Sequence, residues 1–456
     1  LLRIRSYQSS IGFRAILTFT NPWDKFRAKE VTAMRLKAFS LYFLLIIFMI
    51  SGQTYAQTVA IRAGNLIDPA TGTVAQNQII LVKNGKIIEV GPSVTIPPDT
   101  EVIDLSQSWM LPGLMDAHTH LTLNFQYTGA GLEGIYLQES TAMRALHGLH
   151  TAKNVLHAGF TTVRDVGNDA NYAAIDLRDA INKGWFTGPT ILATGKIIAP
   201  FGGQSRRIPP EQGLFWLHEY IDADGEDEIR KAVRQNIYYG ADAIKMVADN
   251  SAFYYSENEI RVAVEEAHAA GLPVSVHVME GEAARNVILG GADSIEHGFT
   301  LSDELLQLMK EKGTVLVGTD FPAEHLARLD PTGEVIDASR ELGDKIIDRL
   351  KRAHKIGVKL VFGTDTVADL PGKNRGEMMQ DYYAIWEAAG IPPADSLRAM
   401  TTDAAKFLKV DKERGAIAEG LAADIIATPE NPLQNLQALK KVIFVMKNGR
   451  VFRHDN

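Results

Sequence analysis

Leu111-Pro-Gly-Leu-Met-Asp-Ala-His-Thr-His120 is the stretch on which the fold turns. Pro112 and Gly113 punctuate a turn, and Leu114 to Ala117 read as a short buried strand. The strand runs out on His118 and His120. Side chains two apart on a strand point the same way, so both imidazoles converge on one spot beyond its end. Two neutral imidazoles fixed on one point suit a divalent transition metal of the zinc type. A bare His-x-His also arises by chance, so its meaning depends on what the rest of the chain brings to the same place.

Working outward, strand-like runs at 161–165, 190–194, 243–247, 273–277, 294–297, 315–319 and 359–363 follow the opening strand. Amphipathic helical stretches separate them, among them 257–270 with Ser256 as N-cap, 280–289 and 341–355. Eight such units over residues 112–410 predict an α/β fold, a (β/α)8 TIM barrel. A doubly wound open sheet is the alternative, but no Gly-x-Gly-x-x-Gly follows the first strand. Short strands with turn signals occupy 57–111, including an Asn84-Gly85 hairpin signal, and the same texture returns over 411–456 around Asn448-Gly449. Neither end holds enough strands for a stable sheet alone, so both ends are expected to pair into one small β-sandwich domain bracketing the barrel.

Barrel enzymes place their chemistry at the C-terminal ends of the strands. His118 and His120 end the first strand, Lys245 lies in the fourth, and His277, His297 and Asp365 end the fifth, sixth and eighth. Singly, each has a plain explanation as a core histidine or a turn aspartate. Together they make a site at one barrel mouth. Lys245 is the telling member, because burial disfavours an ammonium group. Either a carboxylate such as Asp365 pairs with it, or its depressed pKa leaves a neutral amine that takes up carbon dioxide and becomes an anionic ligand able to bridge two metals.

These residues carry a resemblance. The chain resembles the amidohydrolase superfamily, in its exported dipeptidase-like branch related to imidazolonepropionases. The matching text includes the Leu111–His120 stretch, Gly159-Phe-Thr-Thr-Val-Arg-Asp165, Gly240-Ala-Asp-Ala-Ile-Lys245, Ser294-Ile-Glu-His-Gly298 and Phe362-Gly-Thr-Asp365. The resemblance implies a barrel plus β-sandwich and two divalent metal ions, usually Zn2+. His118, His120 and Asp365 would hold one ion, His277 and His297 the other, with N-carboxylated Lys245 between them. It further implies hydrolysis of an amide, of a dipeptide or N-acyl amino acid, by metal-activated hydroxide with Asp365 as general base and then acid.

The family's Gly-Gly-His is here Gly202-Gly-Gln204, and Met279 stands where relatives often carry Tyr or His, which favours an apolar group near the scissile bond. Candidate substrate-binding residues are Gln204, Tyr254, Tyr255, His325 and Arg375, the last as a bidentate grip on a carboxylate. The rival reading is a one-metal deaminase or cyclic amide hydrolase with Glu280, of His277-Val-Met-Glu280, as proton carrier; Lys245 weighs against it. A non-catalytic relative is the third possibility, and it is weakened by all six ligand positions being filled. His147, His150 and His157 read as surface or packing residues of a helix, and Arg164 with Asp165 as a structural ion pair.

Composition sets outer bounds. The 456-residue chain carries a net charge of −8 and no cysteine. That excludes disulfides and thiolate metal sites and argues against nucleic acid as a partner. Met34-Arg-Leu-Lys, the apolar run 41–50 and Ser51-Gly-Gln-Thr-Tyr-Ala56 have the layout of a signal peptide. An uncleaved membrane anchor is the alternative reading of that segment, and residues 1–33 before it read as a spurious extension. The expected mature chain begins near Gln57, exported to the periplasm or medium, with no membrane span, acting on a small molecule and assembling as a homo-oligomer by family habit.

Overall fold

The computed structural model describes residues 58–125, 131–205, 207–249, 253–329 and 336–455; the expected leader lies outside them. The chain opens with β1 (Thr58–Asp68), β2 (Thr73–Lys83), β3 (Lys86–Gly91) and β4 (Glu101–Pro112). Asn84 and Gly85 both have positive φ, 54° and 78°, as the two-residue turn between β2 and β3 demands. β4 does not stop at the hairpins. It lies parallel to β1 and antiparallel to a strand from the far end of the chain, pairing Leu111 with Ile426.

The middle of the chain supplies β5 (Leu114–Thr119), β6 (Phe160–Asp165), β7 (Thr190–Ala193), β8 (Ile197–Ala199), β9 (Tyr220–Asp222), β10 (Ile244–Val247), β11 (Val274–Val278), β12 (Ser294–His297) and β13 (Val315–Val317). The tail returns as β14 (Ile425–Thr428), β15 (Phe444–Lys447) and β16 (Arg450–His454). Both ends therefore share one seven-stranded sheet, in the order β16-β15-β14-β4-β1-β2-β3. Its faces alternate along each strand. Ile61, Ile80, Met110, Ile425 and Phe444 pack together on one side. Leu111, Ile426 and Val445 turn the other way, into a core shared with Leu114, Phe160 and Trp386.

The middle strands form two parallel sheets, β5-β6-β7 and β9-β8-β10-β11-β12-β13, rather than the closed eight-stranded ladder expected. The reason lies at two places. The third strand breaks at Gly195, where φ is 70°: its first half pairs with β6 and its second half with β10. The expected eighth strand, 359–363, forms only an isolated bridge, Leu316 to Leu360. It nevertheless joins its neighbours. Leu316 N–H donates to Lys359 O at 2.9 Å, and Ala117 N–H to Phe362 O at 2.9 Å. Gly363 permits that closeness, since a Cβ there would lie 2.4 Å from Val317 Cγ1 and 2.9 Å from His118 Cβ.

Helices follow the strands much as periodicity predicts, for instance Glu257–Ala269, Gly281–Leu289 and Ile336–Ile356. Ser256 caps the first of these in a capping box: its hydroxyl accepts from Glu259 N–H, and the Glu259 carboxylate accepts from Ser256 N–H. His147, His150 and His157 lie on helix Thr141–His157, where His147 meets Thr151 and His150 meets Asn154 within the same helix. Among the described residues no helix is long and apolar enough to cross a membrane.

Candidate metal centre

Parallel strands deliver four histidines to one end of the sheets. The ring centroids of His118 and His120 are 5.4 Å apart, those of His118 and His297 5.0 Å, and those of His277 and His297 4.4 Å. Asp365 is brought in by its own backbone, whose N–H donates to His118 O at 2.7 Å. Its carboxylate stands 3.2 Å from His120 Nε2, 3.6 Å from His118 Nε2 and 3.7 Å from His297 Nδ1. Ligand atoms of His118, His297 and Asp365 all lie within 4.8 Å of one another.

Hydrogen bonds on the far side of two rings decide which nitrogen faces the centre. His118 Nδ1 lies 2.6 Å from the Glu296 carboxylate, and His120 Nδ1 lies 2.7 Å from Gly167 O. Both partners only accept, so each Nδ1 carries a proton, which leaves His118 Nε2 to offer a lone pair while His120 Nε2 faces the Asp365 carboxylate. His118 Nε2 is buried with no hydrogen-bond partner. An orphaned lone pair of that kind beside a carboxylate fits a divalent metal. Burial, reinforced by Lys245, holds His118 well below the ordinary imidazole range and His277 at about 3. Burial with the neighbouring His277 and His118 rings does the same to His297. All three are neutral, the ligating form. His120 moves the other way: burial lowers it, but the hydrogen-bonded Asp365 carboxylate outweighs burial and raises it.

Lys245 is 2% exposed and, among the described residues, has no ion-pair partner. Burial pushes its amine down to about 8, against the opposing pull of Glu296 and Asp365. Among the described residues the paired-lysine alternative finds no direct contact, only the longer-range pull of these two carboxylates.

Strain concentrates here. His297, Thr319 and Asp365 hold positive φ of 70°, 48° and 54°, which L side chains adopt only under constraint. Thr319 uses its position to meet His297 Nδ1 with its hydroxyl at 2.8 Å.

Beyond these ligand-type residues opens a cavity of about 470 Å³, of small-ligand size, walled by Leu123, Phe125, Met279, Phe299, Phe321 and Tyr382. Gln204 and His325 line it. The Gln204 amide nitrogen is 3.4 Å from His277 Nε2, and its oxygen accepts from the Tyr220 hydroxyl at 3.2 Å. His325 Nε2 is 3.0 Å from Asp381.

Three other expected substrate residues do not line this cavity. Tyr254 is 51% exposed, whereas the adjacent Tyr255 is buried and donates its hydroxyl to Ala223 O at 2.7 Å. Arg375 is no loop arginine: it begins helix Arg375–Asp381, is buried, and donates to backbone carbonyls. Glu280 is also outside the lining, with its carboxylate accepting from the Thr300 hydroxyl. Nor do Arg164 and Asp165 pair. Successive strand residues face opposite ways, so Arg164 reaches inward to Glu296 at 2.8 Å while Asp165 accepts from Leu121 N–H at 2.7 Å.

Glu296 is the important residue that pattern reading passed over. Burial pushes its carboxyl up, yet Arg164 and Lys245 together hold it below the usual range. The signal was present: an acidic residue inside an otherwise apolar strand, costly unless it is paired.

The fold and this cluster define a metal-dependent hydrolase acting on carbon–nitrogen bonds. Residues 109–452 match the amidohydrolase family, and the chain belongs to it. It is 30% identical to an ochratoxinase of Aspergillus niger over 443 aligned positions, spanning 89% of this chain and 88% of that protein. It is 24% identical to an imidazolonepropionase of Kosmotoga olearia, over 84% of this chain and 93% of that one. Among solved structures, a Xaa-Pro dipeptidase with methionine bound in its active site superposes with a TM-score of 0.76 at 30% identity, covering 87% of this chain and all of that one.

Proposed function

We propose that this protein is an exported amidohydrolase that cleaves the amide bond of a dipeptide or N-acyl amino acid bearing an apolar group beside the scissile bond. One observation carries the reading: ligand atoms of His118, His297 and Asp365 gather within 4.8 Å beneath a mostly apolar cavity. The kinship with a Xaa-Pro dipeptidase and an ochratoxinase supports it. The same kinship supports taking the two parallel sheets as parts of one (β/α)8 barrel with a broken third strand. The layout of residues 34–56 supports export.

In this reading His118, His120 and Asp365 would hold one divalent ion and His277 and His297 a second, and Lys245, as a carbamate, would supply an anionic ligand to them. Such ions, when bound, acidify water and polarise a carbonyl oxygen. Asp365, whose side chain is 29% exposed at the cavity floor, accepts the proton of the attacking water and returns it to the departing amine nitrogen. Gln204 and His325 hydrogen-bond the polar ends of the substrate, while Met279, Phe299 and Phe321 exclude water around its apolar group. Glu280 as proton carrier is disfavoured, because Thr300 engages its carboxylate outside the cavity.

The test is a screen of dipeptides and N-acyl amino acids against Zn2+-loaded protein. Turnover should be highest for apolar substrates and fall on the order of 10²–10⁴-fold in Asp365→Asn. A folded, metal-loaded protein that cleaves no amide would refute the reading.

A further inference from the structure

The Arg375 guanidinium is committed to main-chain oxygens. Nε donates to Ala368 O at 3.1 Å, Nη1 to Thr366 O at 2.8 Å and His120 O at 3.2 Å, and Nη2 to Leu123 O at 2.9 Å. The Asp369 carboxylate stands 3.5 Å from Nε. The side chain is 2% exposed. The four carbonyls belong to two segments. One, 120–123, carries His120 itself; the other, 366–368, directly follows Asp365. Neither segment lies in a strand or helix; the backbone links them through Phe125 N–H to Val367 O at 2.7 Å and gives His120 O one further donor, Leu123 N–H at 3.3 Å, and Arg375 adds its four bonds to these. A planar fork with five N–H groups can reach four carbonyls at once, whereas a lysine ammonium concentrates three donors at one point.

The chain is shaped to put the fork there. Asn374 and Glu377 form a capping box that fixes where helix Arg375–Asp381 begins. Gly376 lets that helix press against Thr141–His157, since a Cβ at 376 would sit 2.5 Å from Asn154 O.

We propose that Arg375 is a positioning residue of the metal centre, an internal cation that locks the segment bearing His120 to the segment bearing Asp365. What it keeps in register is the pair His120 Nε2 and Asp365 Oδ1, 3.2 Å apart. Asp365 occupies a left-handed conformation that its surroundings must impose, and the Thr366 carbonyl held by Arg375 is the next link of the chain. The proposal rests on the reading that His120 and Asp365 ligate the same ion.

The test uses metal-stripped wild type, Arg375→Lys and Arg375→Ala, titrated with Zn2+ against a chromophoric chelator, with circular dichroism and hydrogen exchange on the same samples. Folded Arg375→Lys should bind Zn2+ about tenfold or more weakly, in the range found when the supports of metal ligands are removed. Arg375→Ala should lose more and recover part of the loss in millimolar guanidinium. Exchange should quicken within 120–125 and 366–370 before any metal is added. Zn2+ affinity within about twofold of wild type in a folded variant would overturn the proposal. So would collapse of the fold in both variants, which would make Arg375 a residue of the fold at large. Wild type that binds no Zn2+ would remove the underlying site reading and the proposal with it.

Discussion

Replacing Glu296 with glutamine keeps the volume of a fully buried side chain and removes its charge. In the native site one carboxylate serves three donors: His118 Nδ1 at 2.6 Å, Arg164 Nη2 at 2.8 Å and the Ser294 hydroxyl at 2.6 Å. Glutamine offers one oxygen and one NH2 group, so whichever way it is turned an N–H faces another donor. If the oxygen stays with Arg164, His118 loses the acceptor that fixes its proton on Nδ1. Zn2+ affinity should then fall about 10–100-fold, equivalent to roughly 1.4–2.7 kcal/mol. If the oxygen turns to His118, the Arg164 guanidinium, 1% exposed and without its counter-charge in either orientation, also loses its hydrogen-bond acceptor, and breaking a buried pair in that way costs roughly 3–5 kcal/mol. Zn2+ competition titration and thermal melts of the metal-free protein read the two branches separately. Unchanged affinity together with an unchanged melting temperature would refute the reasoning.

Gly363→Ala places a methyl 2.9 Å from His118 Cβ and 3.2 Å from His118 N, where backbone cannot yield cheaply. A loss of about 1–3 kcal/mol in denaturant melts, with weaker Zn2+ binding, is expected; native stability would contradict the packing argument. The Lys245 amine, pushed down to about 8, is protonated below that pH and neutral above it, and only the neutral form combines with CO2. At a fixed concentration of dissolved CO2, reconstitution with Zn2+ should therefore be faster near pH 8.5 than near pH 6.5, by on the order of tenfold, and equal rates would exclude a carbamate. Met279→Gln and Phe321→Gln should each reduce kcat/KM for apolar amides by about tenfold, with little change for glycine-only substrates; equal losses on both would point to a structural defect.

What could be read from the sequence was what depends on near neighbours. Asn84-Gly85 and Asn448-Gly449 specify their hairpins because the required positive φ is a local property. Ser256 and Glu259 mark a helix start for the same reason. The positions of His118, His277, His297 and Asp365 follow from strand endings, and the structure draws these residues together. Where a long polar side chain points is a tertiary matter. Arg375 looked free to grip a ligand because its loop context hides that two distant segments leave carbonyls for it to satisfy. Tyr255 and Tyr254 are neighbours with opposite fates for a similar reason, one being drawn to Ala223 O. The third strand is legible over 190–194, but not its continuation past Gly195 in a new pairing. Glu296 and Thr319 escape notice because their value lies in the rings they hold rather than in any motif of their own.

The most direct measurement of the central claim is anomalous diffraction at the zinc edge from crystals grown with Zn2+ and bicarbonate. The account predicts two peaks, one among His118, His120 and Asp365 and one at His277 and His297, with density for a carboxylated Lys245 between them. An unmodified Lys245 with zinc bound elsewhere, or no peak at these residues, would contradict it.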